Sequence, residues 1–230
     1  MLRSMKELFG YSVAAADGPI GKVEDFLFDE HTHEIRYLVV DTGGWLDRHP
    51  VLVAPVAFGH PRWPARDFPV RITRAQVAAS PDLVPDAPVT RGHEADIHSH
   101  YEWVPYWLSH GHGTPTAHVA DAPAALCRAR EVMGYQIHAT DYEFGHVADF
   151  IIDDDHWQVR FVVIDTEHWW PPRMVMVDMV SFLGVDAAVE QVIVGLPERL
   201  IRESQTYDPS AVANREHEVV LYDYLGRPRL

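Results

Sequence analysis

The second half of this chain repeats the first at a constant spacing. Gly10-Tyr11 returns as Gly134-Tyr135, Asp17 as Asp141, Gly21 as Gly145 and Val23 as Val147. Asp25-Phe26 becomes Asp149-Phe150, Asp29 becomes Asp153, Arg36 becomes Arg160, and Asp41-Thr42 becomes Asp165-Thr166. The match holds at Trp45 and Trp169, at Phe58 and Phe182, and on to Arg91, His93 and Glu94, which meet Arg215, His217 and Glu218. No insertion or deletion separates the copies. A repeat of roughly a hundred residues has the size of a small domain and exceeds a solenoid unit. The chain therefore reads as two copies of one fold.

The repeat sets the boundaries. The first copy with its tail spans 1–108, a linker rich in Gly, Pro, Thr, His and Ala spans 109–123, and the second copy spans 124–230. Within each copy, short alternating runs are punctuated by turns. Asp17-Gly18-Pro19 is a turn signal. Strands are expected over Val23 to Asp29, Ile35 to Thr42, Pro50 to Phe58 and Phe68 to Ile72. Thr73-Arg74-Ala75-Gln76 is a capping box, which starts a short helix. In the second copy Leu196-Pro197-Glu198 occupies the same place, with proline suited to a first helical turn. Arg91 to Tyr101 and Arg215 to Leu225 read as helical tails. The fold class is mainly β: two tandem small barrels related by pseudo-two-fold symmetry, each followed by short helices.

Charge limits the partners. Lys plus Arg total 19 against 34 for Asp plus Glu, a formal charge of −15, and no run of basic residues interrupts it. Such a chain repels phosphate backbones, so direct nucleic-acid binding is not expected. Cys127 is the single cysteine, which leaves no intrachain disulfide and no thiolate metal site. The start of the chain lacks the apolar core of a signal peptide, and no apolar run approaches the ~20 residues of a membrane span. A cytoplasmic location is the resulting expectation.

The string Gly21-x-Val23-x-Asp25-Phe26-x-x-Asp29, then Ile35 to Asp41, then Val51 to Pro55, resembles a PRC-barrel domain. Gly145 to Asp153, Val159 to Asp165 and Met174 to Val180 repeat the pattern. The family takes its name from the photosynthetic reaction centre H subunit, and the ribosome maturation factor RimM has a similar domain at its C-terminus. The tail motifs Tyr101 to Trp107, Tyr207-Asp208-Pro209 and Leu221 to Pro228 resemble the segment that follows the barrel in stand-alone bacterial members. The resemblance implies a non-catalytic module, without cofactor, that docks onto a larger protein complex: ribosomal, stress-related or photosynthetic.

Residues that could carry chemistry are few. The repeated aspartates, Asp25 and Asp149, Asp29 and Asp153, Asp41 and Asp165, read as turn and strand-end acceptors of backbone N–H groups. Histidine is common, at 15 residues. His98-Ser99-His100 and His110-Gly111-His112 would chelate a metal ion if the backbone there were extended. His93 and His98 lie five apart, which places them on different sides of a helix. Asp153-Asp154-Asp155 lacks the glycine of a calcium loop and reads as a charged turn. No G-x-S-x-G, C-x-x-C or G-x-G-x-x-G is present, so an enzyme is not expected. The aromatics Trp45, Trp103, Tyr106, Trp107, Trp169 and Trp170 are the candidate partner-binding residues, because Trp and Tyr concentrate at interface hot spots. The leading expectation is an adaptor or assembly module with a protein partner, and with homo-oligomerisation open. The second is a small-ligand or metal-binding protein that uses an inter-barrel cleft and the histidines.

Overall fold

The computed structural model describes residues 1–46, 49–83, 87–109, 124–166 and 173–208. The first repeat contains β1 (Leu2–Ser4), β2 (Ser12–Ala15), β3 (Gly18–Asp29), β4 (Ile35–Asp41), β5 (Val51–Val53), β6 (Asp67–Pro69), α1 (Arg74–Ala78), α2 (Arg91–His100) and α3 (Tyr106–Ser109). The second contains β7 (Leu126–Arg128), α4 (Ala129–Val132), β8 (Gln136–His138), β9 (Glu143–Asp153), β10 (Gln158–Asp165), β11 (Met174–Asp178), β12 (Phe182–Asp186), β13 (Gln191–Val194) and α5 (Glu198–Glu203). The protein is mainly β, with two mixed sheets and short helices after each. The linker 109–123 falls almost wholly outside the described residues, as does the tail from Pro209 onward.

The local reasons for this order repeat with the sequence. Asp17 accepts a bond from the Arg74 N–H at 2.8 Å, and Asp141 accepts one from the Glu198 N–H at 2.8 Å. Each ties an early turn to the start of the helix that follows the sheet. Thr42 donates its hydroxyl to the His49 carbonyl at 2.8 Å, and Thr166 donates to the Arg173 carbonyl at 2.6 Å. Gly21 and Gly145 bring the backbone against the carbonyls of Asp41 and Asp165, where an added Cβ would lie 2.0 and 2.3 Å from the oxygen. The expected capping box is present: the Thr73 hydroxyl accepts from the Gln76 N–H, and the Gln76 side chain accepts from the Thr73 N–H. Two strands are shorter than the pattern implied, and one of them, β6, ends at Pro69, short of Ile72. β5 ends at Val53, because Pro55 has no N–H for the ladder and opens a 3-10 turn over Pro55–Ala57.

The chain forms two compact units, and each is discontinuous in sequence. Unit 1 holds Met1–Glu7, Phe28–Ile35 and Cys127–Leu230; unit 2 holds Leu8–Leu27 and Arg36–Leu126. In unit 1 the strand order is β11-β10-β9-β8-β13-β12, and β1 pairs antiparallel with β9, Leu2 opposite Asp153 and Ser4 opposite Ile151. The Met5 N–H extends this pairing to the Phe150 carbonyl at 2.8 Å. Leu2 joins Ile151, Phe161, Val163 and Met176 in one apolar cluster. The tip of the β3–β4 hairpin belongs here too: Phe28 meets the rings of Phe150 and Phe182 at 5.2 and 6.4 Å, and Ile35 bonds the Trp157 carbonyl. The first repeat thus supplies a strand and a hairpin tip to the unit that contains the second repeat.

In unit 2 the path β5-β4-β3-β2-β6 carries the core. Phe26, Leu38, Leu52 and Phe68 are fully buried, and Phe68 meets Phe26 at 6.5 Å and Phe58 at 5.1 Å. β6 and β2 run parallel, Ser12 opposite Asp67, and in unit 1 β13 and β8 run parallel in the same way, Gln136 opposite Gln191. No helix among the described residues is long and apolar enough to cross a membrane.

Candidate functional site

The most elaborate arrangement of polar side chains lies in unit 2, where α2 and the aromatic segment after it meet β4. Thr90 caps α2 by accepting from the His93 N–H at 3.2 Å. One face of that helix carries Arg91, Glu94 and His98. Glu94 is completely buried. Its carboxylate accepts the Tyr106 hydroxyl at 2.8 Å and faces Arg91 Nη1 at 2.7 Å. Arg91 also donates to the Tyr106 oxygen at 2.7 Å, and the Arg36 guanidinium lies 3.9 Å over the Tyr106 ring. Tyr37, fully buried on β4, bonds His98 Nε2 at 3.0 Å, close enough to Glu94 to act on its ionisation.

Burial governs the ionisation here. It pushes the Glu94 carboxyl above its ordinary value, with Arg91 and the Tyr106 and Tyr37 hydroxyls acting against it. It raises Tyr37 and Tyr106 as well, helped by the Glu94 charge, and it lowers His98. A carboxyl whose folded value is raised adds stability that is full below its unfolded value and lost as pH rises through the folded one. From the ordinary value of 4.5 upward, then, the wild-type protein should lose stability relative to Glu94→Gln. Urea midpoints of the two proteins between pH 4 and 7 check this; parallel curves would contradict it.

The aromatic candidates fall into distinct places. Trp103 stacks on Tyr101 at 4.3 Å, and Trp107 packs on His98 at 5.0 Å. Trp107 is buried, Trp103 and Tyr106 are half-buried, and the outward positions of the segment are Val104 and Leu108, 77% and 46% exposed. Three of the candidates therefore come together, chiefly as a frame that presents two aliphatic side chains. The Trp45 side chain, Trp169 and Trp170 lie outside the described residues, as do His110 and His112.

His98 and His100 part company. α2 is helical through His100, so residues two apart point to different sides. His98 is buried against Tyr37, while His100 Nε2 bonds the Gln76 carbonyl at 2.8 Å. The extended backbone that chelation requires is absent at this pair. Among the described residues, Asp153, Asp154 and Asp155 bring ligand atoms within 4.8 Å of one another. Their oxygens already accept the Met1 amino group, the Asp155 N–H and His156.

The repeated aspartates serve the backbone. Asp29 accepts from the N–H groups of His31 and Thr32, and Asp41 from that of Gly43. Asp25 and Asp149 each accept from the next residue's N–H, at 2.8 and 2.7 Å. Asp149 adds the Lys6 N–H and the Ser4 hydroxyl, which anchor β1 beside β9. Cys127 is buried, and burial with the nearby Glu30 charge pushes its thiol up to about 12, so it stays protonated.

Strands β2 to β5, Gly21 against the Asp41 carbonyl and the turns at Asp29 and Asp41 all fall inside a segment that matches a known family model. Residues 3–59 match the model of the PRC-barrel domain. Over that span the chain is similar to a PRC-barrel domain. The matched span lies in the first repeat, and the second repeat is tied to it by the recurring residues and elements above. No curated protein matches the chain. Sequence reasoning on the PRC-barrel pattern missed the Glu94 network. Its signal was available, because Arg36, Arg91 and Glu94 all recur, as Arg160, Arg215 and Glu218.

Proposed function

We propose that this chain is a non-catalytic PRC-barrel adaptor that docks onto a larger protein assembly through the segment following α2. The observation that carries the reading is the exposure of Val104 and Leu108 on a segment fixed from beneath by Arg91, Glu94 and Tyr106. A rigid frame lowers the ordering cost of binding, and exposed aliphatic side chains on it supply the apolar contact. The buried Glu94 carboxylate serves the frame, where it holds Tyr106 and Arg91 in place. The family resemblance directs the search to ribosomal, stress-related or photosynthetic complexes.

Val104→Asp/Leu108→Asp tests the reading. Both side chains are exposed, so the fold should hold, with surface changes within about 0.5 kcal/mol. Affinity capture from the source cell should yield a defined partner with the wild-type chain and lose it with the double variant. Capture of the same proteins by both would overturn the assignment of this surface.

A further inference from the structure

The two repeats place the same turn in the same backbone setting and give it opposite charge. Arg66 and Glu190 both sit at left-handed φ, 50° and 54°, immediately before β6 and β13. The Arg66 carbonyl accepts the Ser12 N–H at 3.0 Å, and the Glu190 carbonyl accepts the Gln136 N–H at 2.9 Å. At matched positions Arg62 corresponds to Asp186, and Arg74 to Glu198. Arg66 and Arg71 are exposed on unit 2, as is Arg62, which is paired with Asp67, and Lys22 shares the rung of β3, β2 and β6 through Ser12. Asp186 and Glu190 are exposed on unit 1. In a chain of net charge −15, the unit 2 face is a local basic exception.

Each face also carries apolar surface. On unit 1, Leu183, Val189 and Ile193 are 65, 58 and 37% exposed around the acidic turn. On unit 2, Val56 is 59% exposed and Trp63 is half-buried against Tyr11.

We infer that the basic turn face of unit 2 binds the acidic β12–β13 face of unit 1 in a second copy of this chain. Equal charges at these equivalent positions would make any pairing of the two faces repulsive. The inversion leaves one attractive combination, basic with acidic, and disfavours the two like-with-like pairings. The net negative charge opposes association only weakly at contact, because charges beyond about 8 Å are screened at physiological salt. The contact is heterologous, so it propagates head to tail or closes into rings.

Sedimentation of the full chain provides the test. Its average mass should rise with concentration, and the apparent Kd should weaken at least about tenfold in 0.5 M salt. Two variants sharpen the result. R62Q/R66E makes the unit 2 turn acidic, and D186N/E190R makes the unit 1 turn basic; Asn keeps the acceptor that bonds the Ala188 N–H. At Arg66 and Glu190 the new residue is the one the same turn holds in the other repeat, so both variants should fold, which circular dichroism verifies. Each alone should be monomeric, and an equimolar mixture should form a complex. A wild-type chain that stays monomeric at all concentrations would overturn the inference. So would association that both variants retain, or a mixture that does not associate.

Discussion

Alanine at Gly21 should destabilise the protein by at least about 3 kcal/mol, and alanine at Gly145 by a similar amount. The added methyl would lie 2.0 Å from the Asp41 carbonyl oxygen in the first case and 2.3 Å from the Asp165 oxygen in the second. The atoms that the methyl would strike first are backbone, so no side chain can swing aside. Both residues also sit at positive φ, 156° and 54°, which disfavours any side chain. Gly10→Ala separates the two contributions. Its φ is 77° and an added Cβ meets nothing within 4 Å, so it should cost only about 1 kcal/mol, the conformational part. Urea midpoints of the three variants check the ranking. Equal losses at Gly10 and Gly21 would show that close backbone approach is not what fixes the glycine.

Glu94→Ala should cost about 3 kcal/mol. The substitution leaves the Tyr106 hydroxyl without its acceptor and Arg91 without its counter-charge. Arg91 is partly exposed and water compensates it in part, so the estimate sits at the low end for a broken buried pair. Glu94→Gln keeps shape and an acceptor and should lose roughly half as much. Tyr106→Phe should fall near Glu94→Gln, because it removes the bonds to Glu94 and Arg91 but leaves those two groups paired with each other and keeps the ring under Arg36. Thermal unfolding of the three proteins at pH 7 measures the series. The loss should also free the segment that carries Val104 and Leu108. Partner capture should therefore weaken in Glu94→Ala even though Glu94 touches nothing outside the fold.

Much of the architecture was legible because it rests on local rules. The capping box at Thr73, the helix from Arg91, the aspartate turns and the long β3 and β9 strands are each specified by residues a few positions apart. Two things were less legible. The pairing of β1 with β9 joins the start of the first repeat to the second repeat, and a three-residue strand has no pattern that names its partner. The Glu94 network was hidden because charged residues on a helix read as a solvated face. Only a packed structure shows that Arg91, Glu94 and Tyr106 close on one another over Tyr37. At the pair His98 and His100 the condition for chelation was extended backbone, and α2 continues there instead.

The account depends most on unit 1 being completed by the start of the chain. Hydrogen exchange read by mass spectrometry, on the full protein and on a version lacking residues 1–7, tests it directly. Loss of β1 should raise exchange at least about tenfold at Ile151 to Asp153 in β9, while β3 from Gly18 to Leu27 keeps its protection. Unchanged protection along β9 in the shortened chain would contradict the account.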